Sequence, residues 1–239
     1  MNILVTGGSS GLGEAIVRKL ASAGGHRILF TYNSGKENAE KLCGMFPNVS
    51  CAQVDFCDAA SVDAFAASVS SLDIDVLVNN AWAGSPDGTY FHKTPAEDFL
   101  HAFTCNVMPL IKITQACISV MRKKKSGKII NIITSSLISL PPMGYSVYSA
   151  TKAYIWQLSK CWCRENLKFN ITSNCILPDF MDTGFSTPDP RIAEQMTAEH
   201  PLKKLLSAEE TAGAVQFFVE ASPQVNGVSL PLTAGQRVF

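Results

Sequence analysis

Short apolar runs alternate with amphipathic segments along most of this chain. An apolar run bounded by turn residues predicts a buried strand, whereas apolar residues repeating every three or four positions predict a helix. The predicted strands are Asn2–Thr6, Arg27–Tyr32, Val49–Val54, Val76–Asn79, Lys128–Thr134, Asn170–Leu177 and Gly227–Pro231. The predicted helices lie near Gly11–Ala23, Lys36–Met45, Ala60–Ser70, Pro95–Met121, Tyr148–Asn166, Ala193–Glu199 and Ala208–Glu220.

The predicted strands are apolar at nearly every position rather than at every second one. Strands of this kind are buried on both faces, which favours a parallel sheet covered by helices. Right-handed crossovers then give an α/β fold, a doubly wound parallel sheet of about seven strands with helices on both faces. In such a fold the ligand lies beyond the carboxyl ends of the strands. Since the chain shows no internal repeat or linker, we expect one domain over residues 1–239.

Composition narrows the range of partners. Lys plus Arg and Asp plus Glu each number 20, so the chain has no basic excess for a nucleic acid. No apolar run approaches the length needed to span a bilayer and no leader precedes the first strand, so we expect a soluble, cytoplasmic protein without a membrane partner. The eight cysteines contain no Cys-x-x-Cys pair and the four histidines are scattered, so we expect free thiols and no metal site.

A glycine-rich turn joins the first strand to the first helix, over Thr6–Gly13. Glycines at this place permit a tight turn and a close approach of the backbone to a pyrophosphate, while the helix N-terminus offers free N–H groups. The alternative is an ordinary glycine-rich turn, but its position between strand and helix favours a dinucleotide site. The candidate binding residues are Gly7, Ser9, Ser10, Gly11, Leu12 and Gly13.

The spacing Gly-x-x-x-Gly-x-Gly, opened by Thr6, resembles that of the short-chain dehydrogenase/reductase family, in particular single-domain 3-oxoacyl-thioester reductases. The resemblance implies a Rossmann-type fold and an NAD(P)(H) cofactor. It also implies that Asp55, with Phe56 beside it, contacts the adenine ring, although Asp55 in a simple turn or helix cap is the alternative.

A second matching motif, Asn79-Asn80-Ala81, follows the fourth predicted strand. In the family this motif supports the sheet, and Asn80 and Ala81 would line the cofactor. The family's next residue is glycine, but this chain has Trp82. Either the ring narrows the nicotinamide side of the pocket, or the loop shifts and Gly84 takes over the turn.

The end of the second strand bears on the choice of cofactor. An acidic residue there would accept the ribose hydroxyls and repel a 2′-phosphate, but Tyr32, Asn33 and Ser34 stand there instead. Asn33 and Ser34 can donate hydrogen bonds, and Lys36 can supply a cation. NADP(H) is therefore favoured over NAD(H), although no arginine is placed to clamp the phosphate.

Tyr148 and Lys152 are four residues apart on a predicted helix, and so they lie on one face. An ammonium and an oxidised nicotinamide close to a tyrosine favour the tyrosinate, which predicts a lowered pKa and an effective acid/base. Tyr-x-x-x-Lys also occurs by chance in helices. Its place after the fifth strand of a dinucleotide-binding sheet favours the catalytic interpretation, with both residues also touching the cofactor.

The resemblance implies two further catalytic residues. In the family, a serine thirteen positions before the tyrosine holds the substrate carbonyl. That count gives Ser135, whereas counting forward along the strand gives Thr134, and Ser136 is adjacent. We choose Ser135. Asn106 matches the family asparagine that holds a water in a proton relay, and its alternative is a buried polar residue at a local kink near Pro109.

The segment after the sixth strand resembles the family's Pro-Gly loop. Pro178, Met181 and Thr183 are expected to contact the cofactor, and Asp179 replaces the usual glycine. Substrate specificity is expected in the loop from Phe180 to about Pro201. The apolar candidates for this pocket are Met143, Phe185 and Met196, for each of which ordinary packing is the alternative.

These features predict an oxidoreductase that interconverts a ketone or aldehyde and an alcohol by hydride transfer. The partner is a small carbonyl or alcohol substrate, and the family usually forms homodimers or homotetramers. Two alternatives stay open. One is a non-catalytic NAD(P)-binding regulatory protein, and the other is a sugar-nucleotide-modifying enzyme, which would need a larger C-terminal domain.

Overall fold

A computed structural model of the chain describes residues 1–86, 88–181, 183–185 and 190–237. Within these residues, one parallel sheet contains all the strands in the order β3-β2-β1-β4-β5-β6-β7. Its strands are β1 (Asn2–Val5), β2 (Arg27–Tyr32), β3 (Val49–Gln53), β4 (Val76–Asn79), β5 (Gly127–Ile132), β6 (Ile171–Pro178) and β7 (Ser229–Leu232). The order reverses between β1 and β4, which opens a crevice at the carboxyl ends of these two strands.

Helices connect the strands and cover both faces of the sheet. They are α1 (Gly11–Ser22), α2 (Lys36–Met45), α3 (Ala59–Ser68), α4 (Ala96–Ala102), α5 (Met108–Lys124), α6 (Ser146–Glu165), α7 (Pro190–Glu199) and α8 (Ala208–Glu220). The predicted doubly wound Rossmann-type fold is confirmed. Two predicted boundaries are corrected: β5 ends two residues earlier than expected, and a π-helical turn at Phe103–Val107 divides the long helix predicted at 95–121.

The sheet separates two apolar cores because successive strand residues point to opposite faces. Ile3 and Val5 pack with buried residues of α1 and α8, including Leu20 and Phe218. Leu4, between them, packs in the second core with residues of α3 and α5. Each fully buried aliphatic or aromatic side chain contributes about 1.5–3 kcal/mol. The two cores therefore fix the sheet edge at which the polar motifs meet.

A buried polar network fixes α6 over the middle of the sheet. Asn79 of β4 donates a hydrogen bond to the Asn131 side chain of β5 at 2.9 Å. Asn131 in turn donates to Ser159 of α6 at 3.1 Å, and the Ser159 and Ser173 hydroxyls lie 2.8 Å apart. Because an unpaired amide at this depth is costly, the network restricts how α6 can slide.

The continuous helical stretch Ala96–Lys124 bears on the expectation about membranes. It is 29 residues long and contains a window of mean hydropathy 1.2, so by length and composition it is able to cross a bilayer. The expectation that no segment approaches this length is therefore wrong. In the structure 44% of that window is buried, and α5 packs against α3 and the sheet.

Candidate active site

A cleft of about 1160 Å³ opens at the carboxyl ends of the strands. Its floor is the glycine turn after β1. A Cβ on Gly13 would lie 1.8 Å from the carbonyl oxygen of Gly7, and Gly7 itself has a φ of +67°. Side chains are therefore excluded from both positions. The chain keeps its backbone close to any bound group at this turn.

Hydrogen bonds hold the glycine turn against the neighbouring strands. Thr31 accepts from the backbone N–H of Gly7 at 3.0 Å. The Asn80 side chain donates to the carbonyl oxygens of Thr6 and Gly7, each at 3.0 Å. The Thr6 hydroxyl accepts from the backbone of Asn80 and Ala81 at 2.9 and 3.0 Å. This cross-linking explains why a threonine opens the turn and why Asn80 follows β4.

The cleft brings together most of the predicted cofactor residues. Its lining includes Gly7, Ser9, Ser10, Gly11, Leu12, Gly13, Tyr32, Asn33, Ser34, Phe56, Asn80, Ala81, Tyr148, Lys152, Pro178, Met181 and Thr183. Ser10 precedes α1 and makes no capping hydrogen bond with the described part of that helix. The first N–H groups of α1 therefore face the cleft as a suitable site for a phosphate.

Asp55 differs from the other predicted cofactor residues because it does not line the cleft, although Phe56 and Cys57 do. Its carboxylate accepts from the backbone N–H of Cys57 at 2.8 Å, and its own N–H donates to Ser61 at 3.0 Å. The contacts of Asp55 are thus those of a turn residue, the alternative that its position had left open.

The end of β2 forms the far wall of the cleft. Asn33 and Ser34 line this wall, and the Gln53 side-chain amide donates a hydrogen bond to the Asn33 carbonyl oxygen at 2.9 Å. Lys36 begins α2 nearby; its side chain is 68% exposed, and its ammonium lies 3.7 Å from the Glu40 carboxylate. Such an exposed ion pair is weak, so the lysine is free to turn toward an anion.

Tyr148 lies on the opposite side of the cleft, near the start of α6. Its ring packs against Tyr145 and Phe185, with centroid distances of 5.7 and 6.3 Å. Burial raises the pKa of Tyr148 above its ordinary value, and a hydrogen bond from Thr134 opposes this only in part. In the protein alone the hydroxyl therefore stays protonated, and the lowered pKa, which was expected beside an oxidised nicotinamide, stays a prediction for that complex.

Lys152 is buried directly below Tyr148. Its ammonium donates to the carbonyl oxygen of Ile132 at 2.9 Å and lies 5.7 Å from the centre of the Tyr148 ring. Burial lowers the pKa of Lys152 to about 7. Because desolvation favours the neutral lysine, Lys152 supplies less positive charge to Tyr148 than an exposed ammonium would.

Trp82 covers both of these residues. Its ring meets Tyr148 edge to face at 4.9 Å, and the Lys152 ammonium lies 4.6 Å above its centre. The buried indole N–H has no hydrogen-bond partner among the described residues. Gly84 has a φ of +95°. Both alternatives for this loop are therefore present: the ring narrows the cleft, and Gly84 makes the turn.

The hydroxyl beside Tyr148 belongs to Thr134. Its side chain lies close enough to lower the pKa of Tyr148, donates to the Ser136 hydroxyl at 3.2 Å and accepts from the Ser136 N–H at 3.3 Å. A 3-10 turn over Ser135–Leu137 begins directly after Thr134. The chain turns at Ser135, directly after the extended Thr134, and the Ser135 hydroxyl therefore has different hydrogen-bond partners. Ser135 was predicted to hold the substrate carbonyl, with Thr134 as the alternative; both line the cleft, and the choice between them stays a prediction.

Ser135 is instead part of a buried ion-pair cluster. Arg237 donates to the Ser135 oxygen at 2.7 Å, and Ser135 donates to Asp179 at 3.0 Å. The guanidinium of Arg237 lies 2.9 Å from the Asp179 carboxylate, which is 10% exposed. Arg237 also lines the cleft, although no spacing in the sequence links it to Asp179 and so nothing there predicted its role.

Asn106 lies in the π-helical turn and is buried behind the cleft rather than lining it. Its side chain accepts from the backbone N–H of Ala83 at 2.7 Å and donates to the Ala83 and Ala102 carbonyl oxygens at 3.2 and 3.1 Å. These contacts are those of the alternative interpretation, a buried polar residue at a local irregularity. They also fix the loop that carries Trp82.

The loop after β6 closes the cleft on its remaining side. Phe185 and Met196 line it, whereas Met143 does not and is 80% exposed. Met143 is therefore corrected to a surface residue that contacts the Tyr90 hydroxyl at 3.6 Å. Of the expected specificity loop, residues 182 and 186–189 lie outside the described part of the chain.

Comparison with known proteins gives a consistent family. A family model described as short chain dehydrogenase matches residues 1–191. An NADPH-dependent aldehyde reductase-like protein of Arabidopsis thaliana is 28% identical, covering 97% of this chain and 92% of that protein. An acetoacetyl-CoA reductase of Acinetobacter sp. is 31% identical, covering 97% of this chain and 96% of that protein.

The solved structures agree with the sequence relatives. A short-chain dehydrogenase/reductase variant of Serratia marcescens is 27% identical and has a TM-score of 0.86, covering 98% of this chain and 96% of that chain. The predicted resemblance to reductases of 3-oxoacyl thioesters, of which acetoacetyl-CoA is one, is confirmed among these relatives. The motifs, the sheet order and the matched residues together show that this chain belongs to the short-chain dehydrogenase/reductase family.

Proposed function

We propose that the protein is an NADP(H)-dependent carbonyl reductase with Tyr148 as its proton donor. The observation that carries the proposal is that Thr134, Tyr148 and Lys152 all line the dinucleotide cleft, with the Lys152 ammonium 5.7 Å from the centre of the Tyr148 ring. The glycine turn, with no room for a Cβ on Gly13, suits a pyrophosphate. The nicotinamide, when bound, supplies the hydride.

Tyr148 and Thr134 are matched to the reduction direction. A tyrosine whose pKa is raised by burial is protonated at neutral pH, and so it is ready to donate to the oxygen of a carbonyl. The Thr134 hydroxyl can donate a second hydrogen bond to the same oxygen. Two donors aimed at a developing alkoxide stabilise the transition state more than the neutral ketone.

In this proposal Lys152 positions Tyr148 and, when protonated, supplies a positive charge beside it. Its ammonium is fixed by the Ile132 carbonyl oxygen at 2.9 Å, below the tyrosine. With a pKa of about 7, it changes charge in the physiological range. A protonated Lys152 favours the tyrosinate that remains after proton donation, so we expect activity to depend on pH near 7.

The preference for NADP(H) rests on the end of β2. Asn33 and Ser34 line the cleft there, no acidic side chain is among its described lining residues at that end, and Lys36 lies exposed beside it. The Arabidopsis relative is described as NADPH-dependent. The test is the ratio of kcat/KM for NADPH and NADH, which should exceed one and fall in Lys36→Glu. A ratio that favours NADH would contradict the assignment.

The relatives support a proposal for the substrate class. The Acinetobacter relative is described as a reductase of acetoacetyl-CoA, so we propose 3-oxoacyl thioesters as the first compounds to try. Aldehydes come next, after the Arabidopsis relative. A panel of both classes, measured by nicotinamide absorbance, identifies the substrate. Cytoplasmic location and assembly as a homodimer or homotetramer stay predictions.

A non-catalytic cofactor-binding protein is the second candidate. Trp82 favours it, because its ring lies on both Tyr148 and Lys152 and narrows the nicotinamide side of the cleft. Binding of NADPH without turnover on the whole panel would favour this candidate over the reductase. Turnover that depends on Tyr148 would exclude it.

A further inference from the structure

We propose that Cys57, His101 and Cys105 form a binding site for a soft divalent metal ion such as Zn²⁺. The ligand atoms of the three side chains lie within 4.8 Å of one another. The Cys105 sulfur is 3.8 Å from either ring nitrogen of His101. No metal site was expected from the sequence, because the eight cysteines contain no Cys-x-x-Cys pair and the four histidines are scattered.

The fold brings the three side chains together from two segments. His101 lies on α4, and Cys105 follows in the π-helical turn, four residues later and on the same side of the helix. Cys57 comes from the loop after β3. The hydrogen bond from its backbone N–H to the Asp55 carboxylate, at 2.8 Å, fixes that loop.

The chemistry and the dimensions of the cluster suit zinc. Thiolate and imidazole are its common protein ligands, with Zn–S near 2.3 Å and Zn–N near 2.0–2.1 Å. A tetrahedral site with these bond lengths has ligand atoms roughly 3.5–3.8 Å apart. Ligand atoms already within 4.8 Å therefore need to move by only about an ångström or less.

Access and stoichiometry also fit a metal ion. Cys57 and His101 are exposed, whereas Cys105 is buried beneath them, so an ion can enter from solvent and complete its shell with the buried thiol. Three protein ligands leave the fourth tetrahedral position for a water molecule. The site is separate from Tyr148 and does not depend on the proposed reduction.

The metal would connect two parts of the cofactor cleft. Cys57 lines the cleft next to Phe56, and Cys105 precedes Asn106, which fixes the loop at Ala83. A bound ion therefore joins the loop after β3 to the helix that supports the nicotinamide side. We expect metal binding to raise the melting temperature, and to change the affinity for NADPH more than kcat.

The chain provides a matched control in a second thiol pair. Cys43 on α2 and Cys51 on β3 are neighbours, close enough for Cys51 to raise the pKa of Cys43, and both are half-buried. Among the described residues, no histidine joins them in a cluster of three possible ligands. Loss of Cys43 therefore tests whether any neighbouring pair of cysteines is sufficient for binding.

The experiment uses the full-length protein, reduced and freed of metal with a chelator. Zn²⁺ is titrated in competition with a chromophoric chelator, and Co²⁺ uptake is followed by the thiolate-to-cobalt charge-transfer absorption. Wild type and Cys43→Ser should bind one equivalent of Zn²⁺. Cys57→Ser and His101→Gln should each bind at least tenfold more weakly, and because both residues are exposed, their replacement leaves the core intact.

The outcomes separate metal binding from its alternatives. The proposal is overturned if wild type takes up no Zn²⁺, if Cys57→Ser and His101→Gln bind as wild type does, or if Cys43→Ser loses binding equally. The proposal is also overturned if Cys57 and Cys105 form a disulfide and the protein takes up no metal after that disulfide is reduced. Loss of the Co²⁺ charge-transfer band in Cys57→Ser, with the band kept in Cys43→Ser, supports it.

Discussion

Replacement of Thr134 by valine removes the hydroxyl beside Tyr148 and almost nothing else. Valine has the same shape, so packing at the end of β5 is retained, while two hydrogen bonds with Ser136 are lost, one accepted from its N–H and one donated to its hydroxyl. Loss of one preorganised donor to a developing oxyanion costs about 2.7–4 kcal/mol, which is about 100- to 1000-fold in kcat. We therefore expect kcat of Thr134→Val to fall by that factor, while Thr134→Ser, which keeps the hydroxyl, stays close to wild type.

Ser135→Ala is the matched control, since Ser135 is the adjacent buried hydroxyl with different partners. The alanine variant leaves Arg237 and Asp179 each without one hydrogen bond, formed at 2.7 and 3.0 Å. We expect its free energy of unfolding to fall by about 1–3 kcal/mol, with little change in kcat.

The assay is steady-state turnover of the best ketone from the panel, together with urea unfolding of each variant. If Ser135→Ala loses as much kcat as Thr134→Val, or if Thr134→Val keeps wild-type kcat, the assignment of Thr134 is refuted.

Three further predictions follow from the cleft. Because the folded pKa of Lys152 is about 7 and its ordinary value is 10.5, burial of its charge costs stability in full below pH 7 and progressively less as the pH rises to 10.5. Lys152→Met should therefore be more stable than wild type at pH 7, by on the order of a few kcal/mol. Urea unfolding should show that this stability difference shrinks toward pH 10.5. A stability difference that does not depend on pH would contradict the prediction. NADP⁺ should change the fluorescence of wild type but much less that of Trp82→Phe, because Trp82 lines the cleft; an equal change in both would contradict the placement of the ring. Gly13→Val should abolish NADPH binding in a calorimetric titration, since its side chain would collide with the Gly7 carbonyl oxygen, and unchanged affinity would contradict the glycine assignment.

The fold was predictable because burial on both faces leaves a direct trace in the sequence. A strand such as Val76–Asn79 is apolar throughout, and the helices keep one apolar face, so the alternation of elements indicates the doubly wound sheet. The pair Tyr148 and Lys152 was predictable for a similar reason, because positions four apart on a helix share a face.

The side-chain partners at the cleft were less predictable, because they depend on how each strand ends. The strand β5 stops at Ile132 and a 3-10 turn follows, which brings Ser135 to Asp179, and no residue pattern marks that stop. The contact of Arg237 with Asp179 joins distant segments, as does that of Cys57 with His101. Such pairs are set by tertiary packing and leave no periodic signal.

The central claim, reduction of a carbonyl with Tyr148 as proton donor, is tested most directly by Tyr148→Phe. The measurement pairs NADPH affinity, from calorimetry, with kcat on the best panel substrate. The account predicts that affinity stays within a few-fold of wild type, because the phenyl ring keeps the packing against Trp82, while kcat falls at least about 100-fold, the scale of general acid catalysis. Turnover by Tyr148→Phe at the wild-type rate would contradict the account.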